Sequence, residues 1–211
     1  NIFMDDIKKI KNLLQYTTTS DKTYNGEQYD GGYHSLNIHN VSTTGQRQPS
    51  ERLAGVPFDF NNKTVLDIGS NQGGMLFEIQ DSIKEGVGID FDYRLVNVAN
   101  KIRNSHNYNN LNFFVFDLEK EDFNLIHNFS QYKVDIIFLL SVCMWIKNWK
   151  EFCIWCSKNA KSCLFETNGK KHEQREQVEF LQTLYKTVTL IREKSTDDPS
   201  QSKRKLYLCE N

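Results

Sequence analysis

Three things are scarce in this 211-residue sequence. The first is net charge: 26 Lys and Arg against 27 Asp and Glu leave a formal −1, with a pI near 6.6. No global basic field marks the chain as a nucleic-acid binder. Its local basic segments (Lys170, Lys171 and Arg175, then Lys203, Arg204 and Lys205) read as solvated surface. The second is long hydrophobic runs. The longest, Ile136 to Ile146, is interrupted by Ser141 and is too short to span a membrane. It reads as a buried strand and its exit. The third is cysteine in a disulfide-like arrangement. Five Cys are an odd number and they fall in strand and helix patterns, which points to a reduced, cytoplasmic setting. No secretory-signal pattern leads the sequence, and Asn1 in place of an initiating Met is compatible with a piece of a longer chain.

Cys153-x-x-Cys156, with Cys143 and Cys163 nearby, has a spacing that invites a zinc or redox reading. The pair lies among Phe152, Ile154 and Trp155 on an amphipathic stretch, where small buried hydrophobes account for it better. No metal is expected. Hydrophobic content of 38% and a mean hydropathy of −0.60 describe an ordinary core under a polar surface, and the length suits one domain.

What the chain does have is a segment around which the rest is ordered: Lys63 to Gly74, K-T-V-L-D-I-G-S-N-Q-G-G. A β-prone run is followed by a glycine-containing turn and then an amphipathic stretch, Met75 to Lys84. Glycines in such a turn let a ligand approach the backbone, and the helix start beyond offers free N–H groups. Two templates fit with one miss each. Gly69, Asn71 and Gly74 fit G-x-G-x-x-G, a dinucleotide turn. Asp67, Gly69, Asn71 and Gly73 fit D-x-G-x-G-x-G. Asp67 favours the second, because a carboxylate two residues before the first glycine would repel a pyrophosphate and suit a cationic ligand.

Before this segment, residues 5 to 15 place Ile7, Ile10, Leu13 and Leu14 on one helical face. Residues 16 to 56 have weak periodicity. They carry Tyr24, Tyr29, Tyr33, His34, His39, Arg47 and Arg52, and read as a loop that closes over a ligand. After it, strands and helices alternate. Strands are predicted at Thr64 to Gly69, Gly86 to Phe91, Leu111 to Phe116, Val134 to Val142 and Lys161 to Thr167. Helices are predicted at Met75 to Lys84, Tyr93 to His106, Trp149 to Asn159 and His172 to Tyr185. The last two strands, Thr187 to Glu193 and Lys203 to Cys209, follow one another without a helix. The expected fold is α/β: a Rossmann-like, seven-stranded, mostly parallel sheet with helices on both faces and its last strand antiparallel. Residues 1–56 would form the helix and covering loop, and 57–211 the core.

Ligands of open α/β sheets sit at the carboxyl ends of the strands. The first strand ends in Asp67, Gly69, Ser70 and Asn71. The second ends in Asp90 and Phe91, with Asp90 lying 21 residues beyond Gly69, where a carboxylate can accept both hydroxyls of a ribose. The third ends with Phe116, Asp117 and Leu118, suited to a base ring and its amino group. The fourth ends with Leu140 and Ser141.

With these residues in hand, positions 64 to 142 resemble a class I S-adenosylmethionine (SAM) methyltransferase from motif I through motif IV. The departure is Asn71, where the middle glycine is usual, and Asn tolerates left-handed backbone well. A narrower resemblance covers residues 33 to 74. Y-H-S-L, T-T-G-Q, E-R-L and V-L-D-I-G-S-N-Q-G are similar to the family around bacterial tRNA uridine-34 5-oxyacetic acid methyltransferase and its small-molecule relatives. That resemblance implies that Tyr33, His34 and Arg47 reach the cofactor or substrate. The RNA substrate does not come with it.

The resemblance implies SAM as cofactor, S-adenosylhomocysteine (SAH) as product, and a small-molecule acceptor. Methyl transfer requires alignment and exclusion of water, and a hydroxyl acceptor adds a general base. His34 and Glu166 are the candidates for that base, with Asn168 and Trp145 on the acceptor side. The expected activity is O-methylation of a sugar- or phosphate-containing metabolite, by analogy in surface-polysaccharide tailoring. An RNA methyltransferase and a non-catalytic SAM-binding module are the alternatives.

Overall fold

The computed structural model describes residues 4–17, 29–197 and 203–211. Tyr24, placed in the covering loop by sequence, lies outside them.

In chain order the elements are α1 (Met4–Thr17), β1 (Leu36–Ile38), β2 (Val41–Thr43), α2 (Pro49–Leu53), β3 (Thr64–Ile68), α3 (Gly74–Ile79), β4 (Glu85–Asp90), α4 (Tyr93–His106), β5 (Leu111–Val115), β6 (Val134–Leu140), α5 (Trp149–Asn159), β7 (Ala160–Glu166), α6 (Lys171–Leu184), β8 (Thr187–Arg192) and β9 (Leu206–Glu210). Seven strands form one sheet in the order β5-β4-β3-β6-β7-β9-β8. The first five in that order run parallel, and β9 is antiparallel to both β7 and β8. The fold expected from the sequence is the fold observed.

The parallel strands are apolar because both of their faces are covered; every residue of β3 is buried. One core cluster lies under α1, α3 and α4, with Ile10, Leu14, Leu76 and Ile102 in it. The other lies under α5 and α6 and includes Phe152, Phe165 and Leu181. All five cysteines are buried in that second cluster as free thiols. Among the described residues, no group of three or more His, Cys, Asp or Glu could hold a metal ion, and no helix is long and apolar enough to cross a membrane.

Residues 29 to 56 depart from the covering loop predicted for them. They hold a short hairpin, β1–β2, turned at Asn40 with φ 59°, and a helix, α2, with Pro at its start. This segment is also tied down. Ser35 N–H donates to the Arg47 carbonyl, Arg47 N–H to the Tyr33 carbonyl and Gln46 N–H to the Gly32 carbonyl. The Gln72 Oε1 atom, in the turn after β3, accepts from the backbone N–H groups of both Tyr33 and His34 at 3.0 and 3.1 Å. Its amide nitrogen donates to Thr17 at the end of α1. The segment expected to close over a ligand is thus hydrogen-bonded to the turn after β3.

Candidate active site

A cavity of about 660 Å³ opens over the carboxyl ends of β3, β4, β5 and β6. The turn after β3 forms its floor. Gly69 takes φ 68° and Asn71 takes φ 52°, so Asn fills the left-handed position where the methyltransferase pattern has glycine. Asn71 N–H donates to Asp90 Oδ2 at 2.9 Å, which joins the first two strand ends. Gly74 opens α3 with no room for a side chain: a Cβ there would lie 2.4 Å from His34 Cβ. His34 is thereby packed against the first turn of α3.

Of the residues that the sequence assigned to the cofactor, Tyr33, Asp67, Gly69, Asn71, Asp90, Phe91, Phe116, Asp117, Leu118, Leu140 and Ser141 line this cavity, as do His34 and Trp145. Phe91 and Trp145 are more than half exposed and stand at the mouth. Ser70, Gly73, Arg47, Glu166 and Asn168 are absent from the lining, and the structure explains each. The Ser70 side chain turns toward the sheet and fills the space above Gly88. Gly73 is a turn residue with φ 86°, packed against Phe113 and Phe77. Asn168 is a clamp: its Nδ2 donates to the Ser141 carbonyl at 2.6 Å, and its Oδ1 accepts from Met144 N–H at 3.1 Å.

Arg47 and Glu166 form a buried ionic cluster behind the cavity wall. Arg47 is fully buried and donates to Glu166 at 2.8 Å and to Asp197 at 2.7 Å. Arg52 reaches the same Glu166 at 3.0 Å, and Ser141 Oγ donates to Glu166 Oε1. Burial would raise the Glu166 pKa, but Arg52, Arg47 and the hydrogen bonds from Arg47 and Ser141 outweigh it and hold it at about 2. A carboxylate so engaged is no general base, and the role expected for Glu166 is corrected to a structural one. Arg47 is corrected likewise, from ligand contact to ion-pair partner.

His34 also differs from its expected role. Its Nδ1 accepts from Gly74 N–H at 3.3 Å, which puts the ring proton on Nε2. Burial, followed by the charges of Arg52 and Arg47, drives its pKa well below the usual value. His34 is thus a neutral donor and not a base.

Four buried polar atoms on residues lining the cavity have no hydrogen-bond partner among the described residues: Asp67 Oδ2, His34 Nε2, Arg52 Nε and Arg204 Nε. Buried polar groups are ordinarily satisfied, so such a concentration asks for a ligand. Burial, reinforced by neighbouring Asp90 and opposed by Arg52, lifts the Asp67 pKa to about 8. Asp90 stands at about 6: burial raises it, while N–H donors from Asp92 and Asn71 pull it down. Met75 and Arg204 are cavity residues to which the sequence reading gave no site role, and Arg52, also in the lining, was read only as part of the covering loop. The E-R-L signature held Arg52 in plain view. Nothing local marked Arg204.

A mostly parallel seven-stranded sheet with an antiparallel strand near one edge, a glycine turn after β3, and acidic residues at three successive strand ends define a class I SAM-dependent methyltransferase. The chain belongs to the methyltransferase-domain family, whose pattern matches residues 59–195. Solved structures share the fold. The N-terminal domain of EvdMO1, crystallised with SAH and D-fucose, superposes with a TM-score of 0.67 at 10% identity, over 98% of this chain and 95% of that one. The bifunctional kinase-methyltransferase WbdD gives 0.68 at 17% identity; 94% of this chain is covered, but it spans only 46% of WbdD. A candidate RNA methyltransferase from Pyrococcus horikoshii gives 0.53 at 16% identity, over 77% of this chain and 83% of that one. No curated protein matches the sequence.

Proposed function

We propose that the cavity binds SAM and directs its methyl group to an oxygen of a small sugar- or phosphate-bearing metabolite. The observation that carries this reading is the set of unpartnered groups on the cavity wall. The amino-acid end of SAM is a zwitterion. Asp67 offers an unpaired carboxylate for its ammonium, and Arg52 offers an unpaired N–H for its carboxylate. Asp90 accepts from the ribose hydroxyls. Phe91, Phe116 and Leu118 flank the adenine, with Asp117 toward its amino group. Leu140 and Ser141 border the methionine arm, and His34 Nε2–H, with Tyr33 and Trp145, faces the acceptor.

When bound, SAM supplies an activated methyl group; as the new O–CH₃ bond forms, the S–CH₃ bond breaks in line and its electron pair returns to sulfur, leaving SAH. The chain contributes alignment and a dry, shaped wall. The proton of a hydroxyl acceptor leaves to water at the mouth between Phe91 and Trp145, since Glu166 is ion-paired and His34 already carries its proton on Nε2, the buried nitrogen without a partner among the described residues. EvdMO1, whose N-terminal domain was crystallised with D-fucose, supports a sugar acceptor and, by analogy, a place in glycan tailoring.

Calorimetric titration with SAH and with NADH tests the cofactor. Tight SAH binding with none for NADH is expected, and the reverse would overturn the reading. A panel of sugars and sugar phosphates, scored by SAH release, tests the acceptor. SAH binding without turnover on any of them would favour a non-catalytic module.

A further inference from the structure

The two basic segments that look like scattered surface charge in the sequence meet in space. Lys170, Lys171 and Arg175 at the start of α6 and Lys203 and Lys205 ahead of β9 line one open cleft of about 1450 Å³, with Lys194 beyond β8 on the same wall. They meet because β9 returns beside β7, which carries residues 203–205 next to the loop that leads into α6; Thr167 N–H donates to the Lys205 carbonyl at 2.9 Å. Among the described residues, two acids, Glu179 and Glu193, share the cleft. Glu193 lies 3.2 Å from Lys205 and Glu179 lies 3.9 Å from Arg175, so the other four cations have no ion-pair partner among the described residues.

Arg204 links this cleft to the cofactor cavity: it lines both. It is only 6% exposed. Its Nε has no partner among the described residues, nor does Arg204 form any ion pair or hydrogen bond within that set. A buried guanidinium without a counter-charge is costly, and the matching ligand is an anion with several oxygens.

We propose that the cleft holds the phosphate groups of the acceptor. The substrate is then a phosphorylated sugar, most simply a diphosphate-linked one, with its phosphates on the lysines and Arg204 and its sugar hydroxyl reaching into the cofactor cavity. This inference rests on the methyltransferase reading above and narrows its acceptor. The diphosphate could be carried by a nucleoside or by a lipid, and the chemistry recognised is the same.

Inorganic pyrophosphate is the first probe, titrated calorimetrically into the full chain with and without SAH. Saturable one-site binding is expected. Lys170→Ala/Lys171→Ala should weaken it about tenfold, and Arg204→Met by about tenfold or more, as expected for lost charge-assisted hydrogen bonds. The Arg204→Met protein should also melt no lower than the parent, because an uncompensated buried charge is removed. UDP is the second probe. Binding at least about tenfold tighter than pyrophosphate assigns the diphosphate to a nucleoside, and equal binding assigns it to a non-nucleotide carrier. No pyrophosphate binding, or binding unchanged in both variants, overturns the proposal. So does a single-stranded RNA oligonucleotide that displaces pyrophosphate and binds with the steep salt dependence of many phosphate contacts. SAH binding to the parent protein is the independent reference: its failure would remove the cofactor reading, whereas its success with no pyrophosphate binding would remove only the cleft.

Discussion

The proposed pairing of Asp67 with the cofactor ammonium would make binding a proton-coupled event. The Asp67 pKa in the folded chain is about 8, against 3.8 for an ordinary aspartate, because it is buried without a partner and near Asp90. The raised value means that the ligand-free protein holds Asp67 protonated at neutral pH. Its contribution to stability is full below pH 3.8 and is lost as pH rises through 8. An ammonium bound beside it needs the ionised form. At pH 7, one pH unit below that pKa, ionising Asp67 costs about 1.4 kcal/mol, and at pH 6 about 2.7 kcal/mol. SAH binding should therefore strengthen about eightfold between pH 6.5 and 7.5 and level off above pH 8. At pH 7 it should release close to one proton, seen as a dependence of the calorimetric enthalpy on the ionisation heat of the buffer. Asp67→Asn should abolish both the pH dependence and the proton release, and should weaken binding by about 1–3 kcal/mol above pH 8. Asp90 titrates near 6, so the informative window is pH 6.5 to 9. A flat affinity across that window, with no proton released by the parent protein, would refute the assignment of Asp67 to the ammonium.

Glu166→Gln should destabilise the fold by about 3–5 kcal/mol in urea titrations, because Arg47 and Arg52 lose a shared buried counter-charge. Since the Glu166 pKa is depressed, the parent's advantage is present above pH 4.5 and should shrink as pH falls toward about 2. Gly74→Ala should cost about 1–3 kcal/mol of stability by thermal denaturation, and should weaken SAH binding by displacing His34. Hydrogen exchange at the amides of Gly31, Ser35, Gln46 and Arg47, all hydrogen-bonded within the docked segment, should be slow even without ligand. Rapid exchange that slows only on adding SAH would restore the mobile lid expected from the sequence.

Periodic and turn signals carried most of the fold. Helix α4 was legible to the residue because Leu95, Val98, Ala99 and Ile102 repeat at helical spacing between an Asp92 cap and Asn107 in the left-handed conformation. Helix α3 was overread by five residues: the chain turns after Ile79 so that Lys84 N–H can donate to the Lys63 carbonyl and β4 can start alongside β3. The hairpin at 36–43 was missed because three-residue strands are too short to show alternation. At the site, the carboxylates at the strand ends were legible because position on the sheet decides their exposure to a ligand. The failures at Glu166, Arg47 and His34 share a cause. Each was assigned by its chemical type, but its role is set by a partner far away in sequence: Arg47 and Glu166 are 119 residues apart, and His34 and Gly74 are 40 apart. Arg204 was dismissed as surface for the same reason, since only the return of β9 buries it.

That return also bears on where the molecule can be cut. The family pattern spans residues 59–195, yet β9, at 206–210, lies between β7 and β8 in the sheet. A fragment trimmed to the matched span would keep β8 and discard the strand that attaches it. It would also lose Arg47 and Arg52, leaving Glu166 charged and alone behind the cavity. The unit of sequence recognition is thus smaller than the unit that folds, and a minimal methyltransferase designed from the pattern alone would expose two strand edges where the intact sheet has continuous pairing.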